Sequence, residues 1–267
     1  MTATMVPSGG GNPAFDKPEI QRALASPDSA AAPMTVAGVF VKTVLFLVAL
    51  VIAGAYGWNA TVDPGTATDA VGGYGNTTVT IPGGFWLASF VAFGVGIYTS
   101  VNPRHAMVTG FVYALLQGYI LGSVSAMFDT QTEGIVSAAV LGTVCVLAVS
   151  LFLYASRVIR PTAKMAFGVS AGIGGLCLLY FLVWMLSIFD VDFLYSDQFR
   201  SIGIVVTIAA IVLAALSLTL NFAAIEAGVA SGAPAWLEWY SAYGLMLTLI
   251  WLYLTILRLL ALLGSRR

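Results

Sequence analysis

Apolar residues run in seven long stretches, and the polar and charged residues are gathered in the gaps between them. The stretches lie at approximately 35–58, 84–101, 106–128, 134–156, 165–189, 202–225 and 239–263. Each is near the roughly 20 residues a helix needs to cross a hydrocarbon core of ~30 Å. Backbone polar groups in lipid must be satisfied within the segment, which selects helices over open strands. The strand-and-turn alternation of an outer-membrane barrel is absent. The pattern therefore predicts an all-α membrane protein with seven transmembrane helices across 34–264. A cytoplasmic tail, 1–33, precedes them and a short tail, 265–267, follows. The first tail is poor in large apolar residues and reads as mobile, with 17–25 as its one candidate helix. It has no apolar core of the kind a signal peptide carries.

Composition agrees with a bilayer as the solvent. The 267 residues are 59% hydrophobic and 9% charged, against about 25% charged in soluble domains. A net charge of −1 gives no basic footprint for nucleic acid. Cys145 and Cys177 fall inside apolar stretches and read as small buried hydrophobes rather than a disulfide framework or metal site. Gly118-Tyr-Ile-Leu-Gly122 and Gly168-Val-Ser-Ala-Gly172 are small-xxx-small pairs, which let helices approach closely and are read as packing.

The charges in the gaps alternate in sign, and this predicts orientation. Lys17 and Arg22, then Arg104, then Arg157, Arg160 and Lys164 belong to one side, the cytoplasm. Asp63 and Asp69, then Asp129 and Glu133, then Asp190, Asp192 and Asp197 lie opposite, with Arg200 as the exception. The N-terminus is placed inside. Seven full spans put the C-terminus outside, yet Arg258, Arg266 and Arg267 would favour the inside, as a re-entrant sixth or seventh segment would give. The other gaps favour seven full spans, and the side of the C-terminus stays open. Lys42, about two turns into the first span, is expected to snorkel towards the cytoplasm. The loop 59–82 holds two formal glycosylation sequons, at Asn59 and Asn76, which a bacterial chain would leave unused.

Enzyme chemistry is not expected, and no cofactor is. The one histidine, His105, sits in a short turn and cannot supply the pair that a zinc protease needs on one helix face. No span carries an aspartate near its middle, and no Gly-Lys-Ser/Thr phosphate loop is present. The remaining candidates are Glu226 and Glu238, which flank the stretch 227–237 with no basic residue inside it. Near-membrane carboxylates are costly and often mark an ion path, and two that approach each other would share a proton. Alternatively both are solvated at headgroup level, with Glu238 serving an N-terminal helix turn. Asn221, Thr248 and Thr255 are polar groups within spans, a type that often bonds across helices.

The third span, Phe111-Val-Tyr-Ala-Leu-Leu-Gln-Gly-Tyr-Ile-Leu-Gly-Ser-Val-Ser-Ala-Met-Phe128, resembles the Bax inhibitor-1/YccA-like family. Gly134-Ile-Val with Ala139-Val-Leu-Gly-Thr143 is similar to the same family, as is Glu238-Trp-Tyr followed by Leu252-Tyr-Leu-Thr-Ile-Leu-Arg-Leu-Leu260. Asn12-Pro-Ala-Phe15 resembles a bacterial branch with a longer N-terminal tail. The resemblance implies a bundle with one central helix ringed by the others, in a bacterial inner membrane. It implies a pH-sensitive leak for calcium or other cations, or a non-conducting regulator that binds a membrane protease or another membrane partner. It also implies two aspartates on the sixth and seventh helices that share a proton and gate the pore. Here those positions fall on Asn221 and Thr248, and neither ionises. Arg104 fits a basic position at the end of the second helix. Two outcomes are open: a neutral Asn221–Thr248 contact, or a relocated carboxylate pair, Glu226 and Glu238, with calcium passing near it.

Overall fold

The computed structural model describes residues 33–62, 81–130, 132–158, 161–188 and 197–264. The candidate helix 17–25, the Asn12-Pro-Ala-Phe15 segment and most of the first tail lie outside these residues. So do Asp63, Asp69, Asn76, Arg160, Asp190, Asp192, Arg266 and Arg267. Among the described residues seven α-helices follow one another: α1 Val36–Thr61, α2 Phe85–Val101, α3 Ala106–Asp129, α4 Ile135–Ala155, α5 Ala163–Ile188, α6 Asp197–Ala230 and α7 Trp236–Gly264. A short 3₁₀ turn, Pro103–His105, joins α2 to α3. Among the described residues six helices are long and apolar enough to cross a membrane. The remaining one, α2, has 17 residues, or about 26 Å at the α-helical rise. The protein is a multi-pass helical membrane protein. Side chains such as Phe90, Phe93, Phe152 and Phe167 are largely exposed on their helices, as lipid-facing positions are.

The largest departure from the apolar pattern is α6. It runs on past Ile225 through Glu226, Gly228 and Val229 to Ala230, because nothing in that stretch breaks a helix outright; one glycine costs only about 1 kcal/mol. The helix stops at Gly232, whose φ of 70° is the left-handed conformation that closes a Schellman motif. Ala233 N–H donates to Gly228 O at 3.0 Å and Gly232 N–H to Val229 O at 3.1 Å. The connection expected over 227–237 thus shrinks to the residues between Ala230 and Trp236, and Glu226 stands on a helix rather than at a loop edge.

The chain divides into two compact units. The first comprises residues 32–138 and 234–246, holding α1, α2, α3 and the first turns of α7. Its centre is the approach of α1 to α3. A Cβ added at Gly122 would stand 1.9 Å from Gly54 O, at Gly118 2.2 Å from Leu50 O, and at Gly57 2.2 Å from Tyr119 O. These glycines bring two backbones together, as the Gly118/Gly122 spacing suggested. Ser123 Oγ donates to Gly57 O at 3.2 Å across the contact. Below it, Phe46 packs edge-on to Phe111 at 4.9 Å, and Trp239 closes the cluster at 5.6 Å from Phe46.

In the second unit, which includes 139–233 and 247–267, Ala166 and Val169 of α5 pack on Leu220 of α6. The second small-residue pair is only half used. A Cβ at Gly172 would meet the Leu213 side chain at 2.9 Å, whereas Gly168 faces open space. Cys145 and Cys177 are exposed, which corrects the expectation that they are buried. An apolar stretch in a membrane helix does not separate core-facing from lipid-facing positions, because both are apolar.

Candidate functional site

Glu238 enters the first turn of α7. It is 6% exposed, so the solvated headgroup position considered from sequence does not describe it. The carboxylate is instead held from three directions. Thr35 N–H donates to its Oε1 at 2.7 Å and Thr35 Oγ–H to the same oxygen at 3.0 Å. The Lys42 ammonium pairs with Oε2. Thr35 is also the N-cap of α1, and its Oγ accepts from Gly38 N–H at 3.0 Å. Glu238 therefore sits at the N-terminal ends of two helices, its own and α1, where helix dipoles favour an anion. Gly38 makes this possible: a Cβ there would lie 2.3 Å from Glu238 Oε2.

Lys42 does not snorkel free. Its ammonium stands 5.0 Å from the centre of the Trp239 ring as well as on the carboxylate, a cation held by an anion and a π-face. Sequence offers no direct link between Lys42 and Glu238, which stand 196 residues apart. The readable signal was the cost of charge. A lysine within an apolar span needs an anion, and few carboxylates lie at membrane edges. Thr35 and Trp239 carry no comparable signal.

Asn221 of α6 and Thr248 of α7 meet in the second unit, where Asn221 Nδ2 donates to Thr248 Oγ1 at 2.9 Å. Nine residues separate Asn221 from the end of α6 at Ala230, about 14 Å of rise, and Thr248 is about 18 Å along α7 from Trp236. The contact thus lies well within the span. Thr255, further along α7, turns its hydroxyl back to Trp251 O at 2.7 Å.

Glu226 is exposed and accepts a hydrogen bond from the Tyr154 hydroxyl of α4, a partner missed in the sequence because a lone tyrosine near a helix end is unremarkable. Glu226 and Glu238 thus have separate, different partners. Arg104 lies in the 3₁₀ turn with its guanidinium 5.8 Å from the Trp236 ring, and His105 stacks on Tyr98 at 6.0 Å. Arg258 stands over the Tyr180 ring at 4.9 Å. Among the described residues no group of three or more His, Cys, Asp or Glu is placed to hold a metal ion.

No curated protein and no solved structure matches the chain. A family model described as Bax inhibitor 1 like matches residues 12–265, nearly the whole chain. With that coverage, and with apolar helices that pass the membrane repeatedly, the protein belongs to the Bax inhibitor 1 like family.

Proposed function

We propose that the protein is an ion-leak channel or ion-homeostasis protein that passes calcium or related cations, and that it is not an enzyme. The observation that carries the reading is the Asn221–Thr248 hydrogen bond. It joins the two helices, and the two positions, at which the family resemblance implies a proton-sharing pair. An amide and a hydroxyl make the same cross-helix contact without titrating, so in this reading the leak has no acid gate there. Glu226, exposed beside Tyr154, supplies an anionic group where a cation would enter or leave. Purified protein in liposomes loaded with a calcium reporter is expected to pass calcium faster than protein-free liposomes. Flux equal to that of empty liposomes would reject conduction.

A second reading is a non-conducting regulator that binds a membrane protease or another membrane partner. It draws on Glu238, whose two oxygens are both engaged by Thr35 and Lys42 and so are not offered to a passing ion.

A further inference from the structure

Between α4 and α6, within the second unit, runs an open groove of about 400 Å³. Its walls include Cys145, Val149 and Leu153 from α4 and Ile211, Ala215 and Thr219 from α6. The lining spans 145 to 153 on α4 and 211 to 219 on α6, and the contact of Tyr154 with Glu226 puts the later residues of both helices at one end. Eight residues of helical rise make the groove about 12 Å long. Its apolar lining, between two membrane-spanning helices, suits a hydrocarbon chain. The Thr219 hydroxyl is turned back to Leu216 O at 2.7 Å, so it does not ask for a polar occupant.

The end that holds the later residues is polar. Tyr154, one residue beyond Leu153, reaches from α4 to α6 and donates to Glu226, with its ring 5.9 Å from that of Phe222. Arg157 follows three residues on, its N–H donating to Tyr154 O at 3.0 Å. Its φ of 55° turns the chain out of the helix there. Glu226 and Arg157 are both exposed. A carboxylate and a guanidinium at one mouth match a zwitterion. The guanidinium suits a phosphate, which it binds in a fork of N–H donors, and the carboxylate suits a primary ammonium. Choline offers that carboxylate no N–H donor, and a purely anionic headgroup brings like charge to Glu226.

We propose that this groove binds one phospholipid with an ethanolamine headgroup, its acyl chain between α4 and α6 and its headgroup on Glu226 and Arg157. The proposal does not require conduction, and its binding readout is separate from flux, although it uses the same Glu226. The test is native mass spectrometry of the intact protein with phosphatidylethanolamine, phosphatidylcholine and phosphatidylglycerol of identical chains. Phosphatidylethanolamine is expected to be retained at least about fivefold better than the other two. Glu226→Gln should bring it down to the phosphatidylcholine level, and Ala215→Trp, which fills the groove, should lower retention of all three. Equal retention of the three headgroups, preference for another of them, or an unchanged preference in Glu226→Gln overturns the proposal. Glu226→Gln alters an exposed side chain, so it decides the matter even where Ala215→Trp fails to fold.

Discussion

Glu238 in the first unit is held by an ammonium, a hydroxyl and a backbone N–H, whereas Asn221 in the second meets Thr248 through a neutral hydrogen bond. Both contacts tie α7 to another helix, α1 in one case and α6 in the other. They differ in what they would cost if broken. A buried carboxylate deprived of its cation keeps its desolvation penalty, which in low dielectric outweighs most single contacts. An amide deprived of one hydroxyl loses a bond whose net worth in a membrane is small, since the unfolded helices find other partners there. The charged contact is therefore suited to fixing where α7 begins against α1. The neutral one joins α6 and α7 without charge, at a depth where the family resemblance implies a gate.

The comparison breaks first at Lys42. Lys42→Met leaves Glu238 buried without its counter-ion and is expected to destabilise the protein by about 3–5 kcal/mol, read as a lowered melting temperature in detergent. Adding Glu238→Gln to that variant should recover a large part of the loss, because the unpaired charge is gone. A Lys42→Met protein that melts like the wild type would show that the pair carries no weight. At the other contact, Thr248→Val removes the cross-helix hydrogen bond to Asn221, whose loss should cost about 0.6 kcal/mol, and no more than about 1.7 kcal/mol. A loss as large as that of Lys42→Met would mean that the two contacts are not built differently after all.

How far the sequence foretold these contacts follows from the range of the forces involved. The helices were legible because a bilayer demands a long apolar run for each crossing. Their ends were less so: α6 outruns its apolar stretch because Gly228 is tolerated and only the left-handed Gly232 stops it. The Gly118/Gly122 spacing signalled a close approach, and α1 proved to be the partner, with Gly54 and Gly57 on its matching face. Asn221 and Thr248 were paired through resemblance, since two neutral polar residues 27 apart in sequence announce nothing by themselves. Lys42 and Glu238 each carried a visible charge, but their pairing depended on the fold bringing the start of α1 to the start of α7. The exposure of Cys145 and Cys177 was illegible for another reason. In lipid, outward and inward faces are both apolar, so periodicity loses its contrast.

The most direct test is calcium flux from proteoliposomes measured from about pH 6 to about pH 8, around the physiological pH at which the family resemblance implies that an aspartate pair would titrate. The wild type, with Asn221 and Thr248, is expected to change less than about twofold across that range. An Asn221→Asp, Thr248→Asp double variant should change several-fold, because two close carboxylates raise one another's resistance to ionisation. A wild-type flux that itself changes tenfold, with the double variant no more sensitive, would contradict the proposal that a neutral contact stands in place of an acid gate.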